Sequence, residues 1–181
     1  MTSFVPGWYL IYTKPRHEKK IVTRITERAL ECYSPTQKKL RNWRGRMQMV
    51  DMPLFPCYIF IYLHQLKDYF TALGIEGVLS FVRFGKQIAK VADVIVANLK
   101  VMVNEDTEIE VSYDYFQKGD QLLIKEGPLA GHTCEVVTHK GKRKMLVRVE
   151  LLNGNVIVDL ATSQLGVHMY DPYSNSSNSL L

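Results

Sequence analysis

The run Pro53 to Leu63 reads PLFPCYIFIYL, and its interpretation decides the fold. Aromatic residues stand at Phe55, Tyr58, Phe60 and Tyr62, and the last three share one parity. A strand sends alternate side chains to opposite faces, so Tyr58, Phe60 and Tyr62 line one face together with Leu54. Ile59, Ile61 and Leu63 take the other. Both faces are apolar, which a half-exposed strand does not show. Two arrangements satisfy that pattern: a central strand covered on both sides, or a strand whose second face is kept for a hydrophobic partner.

Working outward, Trp8 to Thr13 (WYLIYT) reads as a short strand broken by Pro15. From His17 the period changes, and Ile21, Val22, Ile25, Ala29 and Leu30 form the apolar stripe of an amphipathic helix lying on a sheet. Pro35 biases Ser34 away from helical angles, so this helix is expected to end near Cys32. Gln37 to Val50 reads as a basic hairpin or loop about Arg44-Gly45, with Trp43 near its tip. On the far side, Leu66, Tyr69, Phe70 and Leu73 fall at helical spacing, with Gly74 as the stop. Val78 to Phe84 is a further strand, turning at Gly85-Lys86, and Asp93 is the N-cap of a third helix. Strands and helices so ordered predict an α+β domain of about 100 residues, an antiparallel sheet flanked by helices.

Beyond Asn104 the character shifts. Glu105 to Tyr115 is acidic, has no period and reads as a linker. QLLIK, TCEVV, MLVRVELL and NVIVDL then alternate apolar with polar residues, and Asn153-Gly154 is a strong hairpin signal. Short strands so closely spaced predict a small β-barrel. Tyr170 to Leu181 is rich in Ser and Asn and reads as a mobile tail. The expected boundaries are 1–105 for the first domain, 106–116 for the linker, 117–168 for the barrel and 169–181 for the tail.

Composition narrows the function. With 46% hydrophobic and 23% charged residues the chain is an ordinary globular protein rather than a disordered one. It has no run long enough to span a membrane and no signal-peptide pattern. Cys32, Cys57 and Cys134 are odd in number and lack C-x-x-C spacing, which points to a reducing, cytoplasmic setting and excludes a disulfide frame or zinc knuckle. The five histidines lack metal spacing, and no nucleophile elbow, Walker loop or dinucleotide fingerprint occurs. Catalytic residues, metal and cofactor are all expected to be absent. Charge is uneven: from Lys14 to Arg46 eleven basic residues stand against Glu18, Glu27 and Glu31. A basic quarter of this kind is the footprint of a nucleic-acid partner, although such runs are as often plain solvated faces.

The string KGDQLLIKEGPLAGHTCEVV carries Gly119, Asp120, Gly127 and Gly131, and it resembles the KOW motif of certain ribosomal proteins and transcription elongation factors. In order and spacing, GWYLIY, the lysine-rich helix start KPRHEKK, PLFPCYIFI and GVLSFVRFG resemble the N-terminal (NGN) domain of the NusG family. The match runs from about Gly7 to Leu165. PLFP-x-Y and FVRFG are similar to the specialised antiterminators of that family, the RfaH and UpxY types, and KPRHEKK is closer to UpxY. The resemblance implies a non-enzymatic transcription elongation and antitermination factor, with an NGN-like domain followed by an SH3-like KOW barrel. It implies docking on the clamp helices of RNA polymerase through Phe55, Pro56, Tyr58, Phe60, Phe81 and Phe84. It also implies that Lys14, Arg16, His17, Lys19 and Lys20 face the non-template DNA strand, and Arg41, Trp43, Arg44 and Arg46 of the hairpin are further nucleic-acid candidates. Pro15 and Glu76 stand where the RfaH type is basic, so recognition of the same DNA element is not carried over. Relatives use the barrel to bind ribosomal protein S10 or termination factor Rho. The β-branched residues flanking Asn153-Gly154 favour strands there over helix. A monomer is expected. The competing class is a KOW-type ribosome or RNA-binding protein that stacks its aromatic residues on bases.

Overall fold

The computed structural model describes residues 4–103, 109–113, 115, 117–123, 133–152 and 154–159. The chain divides into two units, Met1–Glu105 and Asp106–Leu181.

The first unit runs β1 (Gly7–Thr13), α1 (Glu18–Glu27), β2 (Glu31–Tyr33), β3 (Thr36–Trp43), β4 (Arg46–Pro53), β5 (Tyr58–Leu63), α2 (Leu66–Leu73), β6 (Val78–Phe81), β7 (Arg83–Phe84), β8 (Gln87–Ile88), β9 (Lys90–Val91) and α3 (Asp93–Val103). The run PLFPCYIFIYL is therefore two pieces. Pro53 closes β4, residues 54–57 turn, and β5 starts only at Tyr58. Pro53 and Pro56 have no N–H to give to a ladder, and Cys57 adopts a positive φ of 70°. Leu54, expected on the strand, instead donates its N–H to the Pro35 carbonyl at 2.8 Å.

The sheet has the order β2-β5-β1-β6, with β9 also paired to β1, and its ladders are antiparallel. Tyr9 and Ile11 of β1 lie on one face with Ile59, Ile61 and Leu63 of β5, and α1 and α2 close that face through Ile21, Ile25 and Ala72. Burying each of these isoleucine and leucine side chains is worth about 1.5–3 kcal/mol. The expectation for the first helix needs correction. α1 stops at Glu27, Ala29 takes a φ of 56°, and Glu31–Tyr33 becomes an edge strand instead of a last helical turn. α2 begins where the buried Asp68 accepts the N–H groups of His64 and Gln65 at 2.8 and 3.1 Å. β3 and β4 pair only with each other, in a two-stranded ribbon closed by Arg44 and Gly45 at φ values of 50° and 79°. A two-residue hairpin turn requires such angles.

The second unit comprises β10 (Ile109–Ser112), β11 (Asp120–Leu123), β12 (Thr133–His139), β13 (Lys142–Val149), a 3-10 turn (Glu150–Leu152) and β14 (Gly154–Asp159). Its five strands form one antiparallel sheet in the order β10-β14-β13-β12-β11. Ile109–Ser112, inside the expected linker, is thus the edge strand of this sheet, with Ile109 and Ser112 buried. Acidity at Glu110 hid its alternation. The strand MLVRVELL ends at Val149, and its last three residues form the 3-10 turn. Val137, Leu146 and Ile157 make the core cluster. Asn153, Gly127, Gly131 and the tail 169–181 lie outside the described residues. The whole is an α+β chain built on antiparallel sheets.

Candidate functional site

The face of the first sheet away from α1 and α2 is aromatic. Trp8 meets Tyr62 edge-on at 5.4 Å, Phe60 meets Phe55 at 6.2 Å and Tyr33 at 6.4 Å, and Tyr12 meets Tyr58 at 5.2 Å. One end is tied to α3: the Tyr33 hydroxyl donates to the Leu99 carbonyl at 3.1 Å, and the Lys100 ammonium lies 4.8 Å from the Trp8 ring centre. Burial pushes the Tyr33 phenol up to about 12. At the other end the Tyr12–Tyr58 pair faces outward, Tyr12 being 37% exposed and Tyr58 half-buried. Tyr12 escapes sequence reasoning because its place opposite Tyr58 is set by the β1–β5 register.

The six aromatic-face residues named from sequence therefore separate. Tyr58 and Pro56 reach the surface, and Phe84 is 84% exposed on the β7–β8 hairpin. Phe55 and Phe60 are buried and meet each other edge-on. Phe81 is on the opposite face: it sits across from Ile11, belongs to the core under the helices and stacks on Tyr69 at 4.7 Å. Its parity along GVLSFVRF does not reveal this, because the β1–β6 register shifts between Tyr12 and Thr13.

The turn from β1 into α1 exposes Lys14, Arg16, His17, Lys19 and Lys20. Arg16 holds a φ of 63°, and His17 Nδ1 lies 2.9 Å from the Pro15 carbonyl, to which it donates. Acidic partners occupy part of this cationic surface. Lys19 pairs with Asp51 at 3.0 Å, and Arg24 grips Glu76 through its carboxylate at 2.6 Å and its carbonyl at 2.7 Å. The Arg24 hydrogen bond and charge, and then the Lys20 charge, hold the Glu76 carboxyl below its ordinary range. Glu18, which sequence reasoning passed over, is buried and accepts the Cys57 N–H at 2.9 Å. Burial, and then the Glu18 charge, push the Cys57 thiol up, so nothing activates it as a nucleophile. Among the described residues no group of His, Cys, Asp and Glu is arranged to hold a metal ion.

The hairpin candidates Arg41, Trp43, Arg44 and Arg46 all lie on the ribbon, where Arg41, Arg44 and Arg46 are exposed and the Trp43 side chain is outside the described residues. Asp51, at the ribbon's base, reaches Lys19 of α1. A groove of about 620 Å³ opens between that base, the start of α1 and the 54–57 turn, lined by Pro15, Arg16, Val22, Met52, Pro56 and Cys57 among others.

In the second unit, Gly119 leads into β11 and donates its N–H to Glu135 at 2.7 Å. Glu135 is held in turn by Arg148 through two contacts of 2.8 and 2.6 Å. The Arg148 hydrogen bond, and then the Gly119 N–H, lower the Glu135 carboxyl against the opposing effect of burial. A Cβ at Gly119 would stand 2.0 Å from the Val136 carbonyl oxygen, so only glycine fits. Asp120 is the first residue of β11, and its side chain lies outside the described residues.

The first unit is thus an antiparallel sheet with α1 and α2 on one face and, on the other, an aromatic face tied to α3 at one end and exposed at the Tyr12–Tyr58 end. A family model described as "Transcription termination factor nusG" matches residues 6–100, more than half of the chain, and the chain belongs to the NusG family of transcription factors. Transcription termination/antitermination protein NusG of Lactococcus lactis subsp. lactis is 24% identical over 184 residues, covering 91% of this chain and 95% of that protein. Among solved structures, one described as "Domain interaction in Thermotoga maritima NusG" is 19% identical, with a TM-score of 0.48 and coverage of 92% of this chain and 98% of that one. The MjSpt4:Spt5 complex gives 17% identity, a TM-score of 0.31 and coverage of 79% and 84%. Among the described residues no helix is long and apolar enough to cross a membrane.

Proposed function

We propose that this NusG-family chain is an elongation and antitermination factor of the specialised RfaH or UpxY type, which docks on the clamp helices of RNA polymerase and suppresses pausing or termination on particular long operons. The observation that supports the docking surface is the outward Tyr12–Tyr58 pair, on the sheet face whose next β5 residue, Phe60, is fully buried. Aromatic side chains on a rigid base lose little freedom on binding, and central ones supply about 2 kcal/mol or more each. Pro56 borders this pair in the chain, and Phe84 is a second exposed anchor. Phe81 supports the fold from the other side.

Lys14, Arg16, His17 and Lys20, with Lys19 at the edge, meet the non-template DNA strand in this reading, and Arg41, Trp43, Arg44 and Arg46 of the ribbon are further nucleic-acid contacts. The domains act as 1–105 and 117–168, and the second, KOW-type unit recruits ribosomal protein S10 or Rho. The test is capture of core RNA polymerase by the full chain and by Tyr12→Ala with Tyr58→Ala. Loss of capture by a folded variant supports the reading. Equal capture by both, or none by the wild type on an assembled elongation complex, sinks it.

A further inference from the structure

The groove of about 620 Å³ in the first unit lies where three elements meet: α1 supplies Val22, the end of β4 supplies Met52 and Pro53, and the 54–57 turn supplies Pro56 and Cys57. Small-molecule sites occupy about 300–1,000 Å³, and this volume falls among them. Pro15 joins Pro53 and Pro56 in the lining, and prolines have no N–H to offer, so these walls suit an apolar body. Most charges in the lining are already engaged. Asp51 holds Lys19 at 3.0 Å, and Glu18 accepts the Cys57 N–H at 2.9 Å. Arg16 is left as the lining charge with no ion pair among the described residues. Lys14 and Lys20 are close to it in the chain and exposed, so the field beside Arg16 favours an anion. The walls are also set in advance. The Thr13 N–H reaches the Cys57 carbonyl and the Leu54 N–H reaches the Pro35 carbonyl, each at 2.8 Å, while the Lys19–Asp51 pair ties α1 to the ribbon. Arg16 and Cys57, both in the lining, hold positive φ values of 63° and 70°. Non-glycine residues keep such angles only where the surrounding fold over-determines them, and they gather at ligand clamps.

We propose that this groove is a binding site for a small, free amphiphile, with an aromatic or branched aliphatic body against Val22, Met52 and Pro53 and one anionic group on Arg16. Neither polymerase nor nucleic acid enters the proposal, so it stands apart from the function above. Binding is non-covalent. The Cys57 thiol is raised by burial and by the Glu18 charge, and it serves only as a reporter of occupancy. A ligand there touches α1, the ribbon base and the 54–57 turn at once, so occupancy favours one setting of the ribbon against α1.

The experiment is fluorescence titration of the full chain with anilinonaphthalene sulfonate and with phenylnaphthylamine, the same ring system without the anionic group. Both are expected to bind, the sulfonate more tightly. Arg16→Gln, at an exposed position, is expected to weaken the sulfonate about fivefold and to leave the neutral probe within about twofold. Met52→Asp, with the fold checked by circular dichroism, sets a charge against the apolar body and is expected to weaken both at least about tenfold. In the wild type, saturating sulfonate is expected to slow alkylation of Cys57 by iodoacetamide and to leave that of Cys32 unchanged, read by peptide mass spectrometry. Equal affinity for the two probes would overturn the proposal. So would an Arg16→Gln variant that loses both probes or neither, or Cys57 alkylation at the same rate with and without the probe. Loss of the probe in Tyr12→Ala with Tyr58→Ala would also overturn it, because the probe would then sit on the exposed aromatic pair. Polymerase capture is scored separately, so failure of the groove and failure of clamp docking are told apart.

Discussion

Replacing Phe81 by alanine asks which face of the first sheet that ring serves. The ring is 4% exposed, lies in the cluster under α1 and α2, and stacks on Tyr69 at 4.7 Å. Truncation forfeits its transfer energy and leaves a cavity, together about 3–5 kcal/mol. A domain of this size commands about 5–15 kcal/mol, so the unit stays folded in the cold. Its melting midpoint falls by about 15 °C or more. Both tryptophans, Trp8 and Trp43, belong to the first unit, so tryptophan emission follows its unfolding without interference from the second. Polymerase capture by Phe81→Ala, measured in the cold, is expected to persist, because the proposed contact uses Tyr12 and Tyr58 on the opposite face. A midpoint within about 3 °C of wild type (less than about 1 kcal/mol) together with lost capture would refute the assignment of Phe81 to the core. It would return that residue to the contact surface.

Tyr12→Ala alone gives up a tilted aromatic pair and partial burial, so it is expected to cost about 1 kcal/mol of stability while weakening polymerase capture at least tenfold, checked by denaturant melts beside the capture assay. In the second unit, Gly119→Ala forces a Cβ against the Val136 carbonyl and disturbs the Glu135 bond. Hydrogen exchange at β11 and β12 should show destabilisation of about 3 kcal/mol, and unchanged protection would contradict the close approach. Glu135→Gln strips the charge from a partly exposed pair with Arg148 and is expected to cost about 1–2 kcal/mol, read as the midpoint of urea unfolding of that unit. Hydrogen bonding to Lys140, against burial and with help from Lys144, holds Glu110 down at about 2 from an ordinary 4.5. Its folded pKa is depressed, so the stability it contributes is present above about 4.5 and lost as pH falls toward 2. Glu110→Gln should flatten the acid limb of the second unit's unfolding curve in that window.

Much of the first unit was legible because its signals are local. The parity of Tyr58, Phe60 and Tyr62 against Ile59, Ile61 and Leu63 is visible in the sequence, and the register with β1 preserves it. α2 and α3 follow apolar spacing, Asp93 is the first residue of α3 rather than the cap before it, and Arg44-Gly45 forms the ribbon turn. What escaped depends on partners distant in the chain. β2 is three residues with no alternation of their own, and it exists because Tyr33 pairs with Phe60 and Cys32 with Ile61. β10 looked like an acidic linker because Glu110 answers Lys140 and Lys144 across the sheet, a reason no local pattern contains. The aromatic residues read as one surface, yet pairing with Ile11 puts Phe81 behind the sheet against Tyr69, while Phe60 is buried and only Tyr58 of β5's aromatic row comes out beside Tyr12.

The two candidate surfaces of the first unit are joined through one small set of buried polar bonds. Thr13, at the end of β1, directs both its N–H and its hydroxyl to the Cys57 carbonyl, at 2.8 and 3.1 Å. Cys57 returns its N–H to Glu18, the first residue of α1. Thr13 is fully buried and Glu18 nearly so, which makes these bonds costly to leave unmade and fixes the 54–57 turn against the β1–α1 corner. Tyr12 and Lys14 flank Thr13, while Pro56 and Tyr58 flank Cys57. The Tyr12–Tyr58 pair and the cationic corner are thereby held on a shared support. For the proposed docking on polymerase, this shared support predicts that the orientation set by the protein contact also sets where the cations fall. Thr13→Val, which deletes the hydroxyl bond and keeps the strand, would loosen both surfaces together.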